Sequence, residues 1–328
     1  MAPFRFLACI GLLLAASCSG GSSPNSPAKL HVALLSPGPV NDNGWNASAY
    51  EGLLRIEKEL GAKKSQQQVK NPSEFEEGYR SNARAGATLI FGHGFEFGDA
   101  ALKVGKEFPG TKFLVSAGAP GVHSENVASM VWRVEDAAYL CGRIAASLSK
   151  TGKAGCVGGE DIPPVRSAFN AFEQGAKLGN PNFEVRQVYV GNWHDIGAAR
   201  AQTLSLIEAG CDVLFHDADA AGLGMLEAAE QKGVFAFGCT KDQSSSAPKA
   251  VVASAVTDVP KSFVEIAREI QEGRFRGRRI EWTRKEGMVG IVWNPAMKAR
   301  VPAEVLKQVE ELDSKIASGS LKIPYSAQ

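Results

Sequence analysis

The 328-residue chain carries 36 Lys and Arg against 35 Asp and Glu, a formal net charge of +1, with 22% of its residues charged. That balance excludes the basic face a nucleic-acid partner needs. Among the five histidines no HExxH or paired spacing supports a zinc site, so neither a metal nor a cofactor is expected.

The first residues, "MAPFRFLACIGLLLAASC", place one positive charge, Arg5, ahead of an apolar run that ends in small residues. This reads as a secretory signal peptide over 1–17, because the run is too short to span a bilayer stably. Leu14 to Cys18 resembles a bacterial lipoprotein lipobox, although Leu stands one place earlier than the usual pattern has it. The resemblance implies cleavage before Cys18 and lipidation of its thiol. Residues 18–28 then form a Ser/Gly/Pro/Asn tether that cannot bury apolar surface. The mature body of about 300 residues exceeds what one core usually serves, so two lobes are expected.

Beyond the tether, apolar strand-like runs fall at 30–35, 87–91, 112–116, 127–132, 154–158, 185–190, 212–216, 234–238 and 250–256. Helical patterns lie between many of them, at 46–60, 74–85, 99–107, 136–149, 165–178, 196–209, 222–232 and 260–272. Such alternation predicts an α/β fold of parallel sheets covered by helices on both faces. The runs "TLIFG", "DVLFH" and "FAFGC" are apolar throughout, as strands buried on both faces require. No later segment is apolar enough to cross a membrane. Cys141, Cys156, Cys211 and Cys239 sit among apolar or small residues with no CxxC spacing and are read as buried thiols.

In such sheets the loops after the strands' carboxyl ends gather along one edge, where ligands bind. Those loops here are rich in aromatic, carboxylate and amide residues: "SPGPVNDNGW", "GHGFEFGD", "GNWHD", "HDADAAG" and "CTKDQSSS". The loops of the opposite edge, such as "LGAKKS" and "EAGC", are plain. This asymmetry predicts a binding cleft. The glycines of "GHGFEFG" do not make a dinucleotide fingerprint, since their spacing is wrong and the first strand lacks such a loop.

"VNDNGWNASAYEGL", "NVASMVWRVEDAAYLCGRIAASLSKTGKAGCVGG", "GCDVLFH" and "APKAVVASAV" resemble, in order and spacing, the basic membrane protein family of solute-binding lipoproteins. Its best-understood members are the purine nucleoside receptor A-like proteins. The resemblance implies a type I periplasmic-binding-protein fold, with two doubly wound parallel-sheet lobes joined by three hinge crossings. Lobe 1 is expected over 29–131 plus 255–279 and lobe 2 over 132–254 plus 280–328.

The resemblance also implies site residues. Trp45 would stack on a flat heteroaromatic ring, worth roughly 1–3 kcal/mol, and Asp42 would accept hydrogen bonds from ring or exocyclic N–H groups. The alternative is that Trp45 packs on the first helix and Asp42 caps it. Asn43 is a further candidate, and Asn46 is read as the helix cap. Trp193 either forms a second aromatic wall or packs locally, with Asp195 capping the next helix. In "FHDADAAG", Phe215, His216 and Asp219 are candidates, Asp219 matching an acid of a nucleobase-like branch, while Asp217 reads as a solvated acid. Asp242 matches an acid at the family's ligand edge, Asn170 an amide that would pair with a purine edge, and Phe95 either closes the pocket or packs in the core. One departure stands out: nucleoside-binding members carry a Lys where this chain has Thr257, which shifts weight toward a free base.

The expected function is a lipid-anchored, extracytoplasmic, monomeric receptor that captures a purine base or nucleoside between its lobes for an ABC permease and ATPase. No bond is broken. A sensor presenting its closed form to a membrane receptor and a nucleoside hydrolase are the alternatives; the latter lacks a nucleophile with a positioned base.

Overall fold

The computed structural model describes residues 30–42 and 44–326, together with Met1. The expected signal peptide, tether and lipidated Cys18, and the candidate Asn43, lie outside the described residues. The chain begins β1 (His31–Ser36), α1 (Trp45–Leu60), β2 (Lys63–Gln68), α2 (Pro72–Arg84), β3 (Leu89–His93), α3 (Gly98–Glu107), β4 (Lys112–Ser116) and β5 (Val127–Trp132). It continues α4 (Glu135–Leu148), β6 (Lys153–Gly158), α5 (Pro163–Gly179), β7 (Glu184–Tyr189), α6 (Ile196–Glu208), β8 (Val213–Asp217), α7 (Gly222–Lys232) and β9 (Phe235–Thr240). The last elements are β10 (Val251–Thr257), α8 (Val259–Gln271), β11 (Arg279–Trp282), β12 (Val289–Trp293), α9 (Pro295–Lys298) and α10 (Ala303–Ser318).

Two six-stranded sheets result, ordered β11-β5-β4-β3-β1-β2 and β12-β10-β9-β8-β6-β7. Every pairing is parallel except the antiparallel β10–β12. The first sheet lies between α2/α3 and α1/α8, and the second between α6/α7 and α4/α5, with α10 on α4. Each sheet with its helices forms a lobe. The chain leaves the first sheet after Trp132, returns to that lobe after Thr257, and leaves it again between Trp282 and Val289.

The strands form because their residues are apolar on both sides. β1 and β3 are buried along their whole lengths, which a strand covered by helices on both faces requires. β2 is the contrary case: "KKSQQQ" is largely exposed, yet it pairs with β1 from His31↔Lys63 to Ser36↔Gln68. An edge strand needs only its backbone bonds, so no apolar run announced it. β11, β12 and α10 were likewise not among the predicted runs, because the two strands are short and half-exposed. Cys141, Cys156, Cys211 and Cys239 are all buried free thiols.

In each sheet the order reverses beside its first strand. β1 has β2 on one side and β3 on the other, and β6 has β7 and β8. Reversal splays the two following loops apart and leaves a crevice at the carboxyl ends.

Candidate functional site

The two crevices face each other across one cavity of about 640 Å³, within the range of small-molecule sites. Its wall is built from the ends of and loops after β1, β2, β3, β4 and β5 of the first lobe and β6, β7, β8, β9 and β10 of the second. Among the described residues three non-glycines hold a left-handed backbone: Ala117 (φ 55°), Asp219 (φ 49°) and Thr240 (φ 70°). All three line this cavity. Such conformations cost free energy and persist where surrounding structure imposes them, which is common at binding sites.

Trp45 is the first residue of α1, so its backbone is fixed by the helix and its ring by two neighbours. The indole stacks on the His93 imidazole at 4.0 Å and 20°, and meets Trp132 edge-on at 5.5 Å. His93 ends β3; its Nε2 lies 3.0 Å from the Trp45 carbonyl oxygen and its Nδ1 3.0 Å from Ser116 Oγ. Burial holds its pKa down to about 3. The ring is therefore neutral, with Nε2–H donating to the Trp45 carbonyl and Nδ1 accepting from the Ser116 hydroxyl. From the other lobe Trp193 packs its ring against Gly159, where an added Cβ would stand 2.2 Å from the ring. Phe95 completes the aromatic lining.

The acids divide the work. Asp42 accepts from the backbone N–H groups of Gly44 (2.9 Å), Asn46 (2.9 Å) and Ala47 (2.9 Å) and from Asn46 Nδ2 (2.7 Å). Its oxygens are filled by the start of α1, so Asp42, not Asn46, supplies the cap. Asp219 reaches from the second lobe, its Oδ1 accepting the Trp45 N–H at 2.8 Å. Burial raises its carboxyl well above the usual range, and the nearby Asp42 adds to the rise. Burial also pushes Asp217 up to about 6, against a hydrogen bond from the Cys239 thiol. Three residues of the wall carry a buried polar atom with no protein partner: Asn46 Oδ1, Trp132 Nε1 and Thr257 Oγ1. Each is a buried hydrogen-bonding group left open.

Of the expected site residues, Asp42, Trp45, Phe95, Trp193 and Asp219 thus share one cavity, and four others lie outside it. Phe215 points into the core, stacked on Phe172 at 5.2 Å, because alternate strand residues face the helix layers. His216 is buried beneath the cavity, its Nε2 2.8 Å from Gln243 Oε1. Asp242 is exposed and accepts from Ser244 N–H (2.9 Å) and Oγ (2.6 Å), bending its own turn. Asn170, on α5, donates to the Ser326 carbonyl (2.9 Å) and accepts from Gln187 (3.1 Å), tying down the C-terminal segment. Asp195 caps α6 through the Ala198 N–H. Asp217, read as a solvated acid, instead lines the cavity. His93 and Trp132 were not foreseen as parts of the site. Their only sequence signal is position, each at the carboxyl end of an apolar strand. Among the described residues no group of His, Cys, Asp or Glu is arranged to hold a metal ion, and no helix is long and apolar enough to cross a membrane.

Residues 29–327 match the family model described as ABC transporter substrate-binding protein PnrA-like. Basic membrane protein A2 of Borrelia garinii subsp. bavariensis is 31% identical over 323 residues, covering 95% of this chain and 93% of that protein. A purine-binding protein of Brucella abortus is 30% identical over 304 residues, covering 92% and 85%. The crystal structure of an ABC transporter solute-binding protein from Aeropyrum pernix superposes with a TM-score of 0.82 at 24% identity, covering 91% of this chain and 94% of that one.

Proposed function

The chain belongs to the PnrA-like family of ABC transporter substrate-binding proteins, and we propose that it captures a purine base or nucleoside between its lobes and hands it to a permease driven by an ATPase. The family is one of binding proteins rather than enzymes, so the hydrolase reading falls away. The observation that carries the purine reading is the convergence of Trp45 and Trp193, from opposite lobes, on one cavity that also holds Asp217 and Asp219. Indole faces stack on any flat heteroaromatic ring, and carboxyl groups accept from its N–H edges. The name of the Brucella relative supports the same ligand class.

In this reading the lobes turn about the crossings after Trp132, Thr257 and Trp282, and Cys18 anchors the chain by acyl groups to the outer face of a membrane. Thr257, at the cavity wall, offers a short hydroxyl and no cation toward a ribose. Free bases are therefore expected to bind more tightly than their nucleosides. Mass spectrometry of the molecule that co-purifies, followed by calorimetry with adenine, guanine and their nucleosides, tests both parts. Absence of any purine from the purified protein, with no heat on adding one, would remove the ligand class. Tighter nucleoside binding would remove only the base preference.

A further inference from the structure

Asp219 belongs to the second lobe, yet its Oδ1 takes the backbone N–H of Trp45 in the first. That amide is one of the N-terminal donors of α1 that no helical carbonyl can satisfy. The lobes are thus joined by a helix cap supplied across the cleft. Gly44 makes room for it, since a Cβ there would stand 2.1 Å from Asp219 Oδ1. The left-handed backbone of Asp219 is part of the same arrangement. A second contact at the rim, Lys241 Nζ to Glu51 Oε2 at 3.3 Å, also spans the lobes, but both side chains are exposed and it adds little.

Closure brings two carboxyl groups to one helix end. Asp42 already takes the backbone N–H groups of Gly44, Asn46 and Ala47 and the Asn46 side-chain amide. Asp219 arrives beside it in a water-poor setting, and Asp217, at the end of β8, adds a third acid. Two adjacent half-buried carboxylates repel. The neutral His93 behind Trp45 offers no compensating charge, nor does the buried Cys239 thiol, whose pKa burial pushes well up. Of the other ionisable groups of the wall, Lys70 and His194 are exposed, and partial burial of its head raises the Glu96 carboxyl. With Oδ1 occupied, a hydrogen at Oδ2 is what relieves the repulsion.

We propose that Asp219 is the latch of the cleft, engaging α1 only when its second oxygen shares a hydrogen, given by an N–H group of the ligand or, without ligand, by a proton. The ligand half rests on the receptor reading; the proton half does not. In the closed form the carboxyl binds its proton more tightly than in the open form, so closure is favoured at low pH and lost as pH rises through the raised pKa. Small-angle scattering of the ligand-free protein at about pH 5 and about pH 8 tests this. The parent is expected to be compact at the lower pH and expanded at the higher. Asp219→Asn, which still accepts from Trp45 and donates toward Asp42, is expected to stay compact at both. Asp219→Ala and Gly44→Ala, each with an unshifted circular dichroism spectrum, are expected to stay expanded at both. A parent whose radius of gyration ignores pH, or an Asp219→Asn protein as expanded as Asp219→Ala, overturns the proposal. If acid compacts the parent but purines at the higher pH do not, the purine reading fails and the latch stands.

Discussion

At the scale of single residues, the site turns on how Trp45 is held. His93 supports the indole from behind by ring stacking and by a bond to the Trp45 carbonyl, and it does so as a neutral ring because burial holds its pKa near 3. The unfolded chain takes up a proton at this histidine near pH 6.5, which the native state refuses. A base whose folded pKa is depressed contributes stability that is lost as pH falls from the unfolded value toward the folded one. His93→Gln keeps a donor for the carbonyl but does not titrate. Its urea midpoint is therefore expected to fall less steeply than the parent's between about pH 6.5 and pH 4, the limit for one proton being about 1.4 kcal/mol per pH unit. Equal slopes would show that His93 is not neutral in the native protein. Of the "NDNGWN" segment, Trp45 and Asp42 both line the cavity. What it hid was which polar group faces inward. Three amides and one side-chain N–H consume Asp42, while Asn46, expected to cap the helix, keeps an open oxygen.

Among the elements, α4 and α5 cross with main chain against main chain. A Cβ on Gly142 would stand 1.9 Å from the Phe172 carbonyl oxygen, and one on Gly175 1.9 Å from that of Tyr139. Each helix presses its backbone into the notch left by the other's missing side chain, and backbone cannot swing aside. Gly142→Ala and Gly175→Ala are each expected to destabilise by about 3 kcal/mol or more, since overpacking against main chain has no cheap relief. Gly110→Ala, where the added carbon meets nothing within 4 Å, is the matched control. Thermal unfolding in which the helix variants melt with the control would refute the tight crossing. Most elements were legible because a strand covered on both faces must be apolar and a helix covered on one face must repeat near 3.6 residues. β2 was not, because an exposed edge strand satisfies its partner through main-chain bonds that any polar sequence can make.

For the whole molecule, the site exists only where two lobes meet. One core cluster runs from β1 and α1 through Trp132 to α4, α5 and β8, so the lobes share buried surface near the crossings. A ligand that touches both walls binds the folded, closed form and not the unfolded chain. At a hundredfold excess over its dissociation constant it adds about 2.7 kcal/mol, which for a chain of this size raises the melting temperature by roughly 5 °C. Adenine or guanine is expected to produce that shift and to quench tryptophan fluorescence, because Trp45, Trp132 and Trp193 all line the cavity. A shift without quenching would mean binding elsewhere.

The linear pattern by itself determined the layers, the winding and the edge on which the cavity lies, because those follow from the period of apolar residues and the order of strands and helices. Local periodicity is set by chain neighbours. Only the tertiary structure decided the roles within the cleft. It sent Phe215 into the core and Asp242 to the surface, spent Asp42 on the amides of α1, and carried Asp219 across to Trp45, a partner 174 residues away. Such pairings depend on how two lobes are set about their crossings, and no repeat in the chain records that angle.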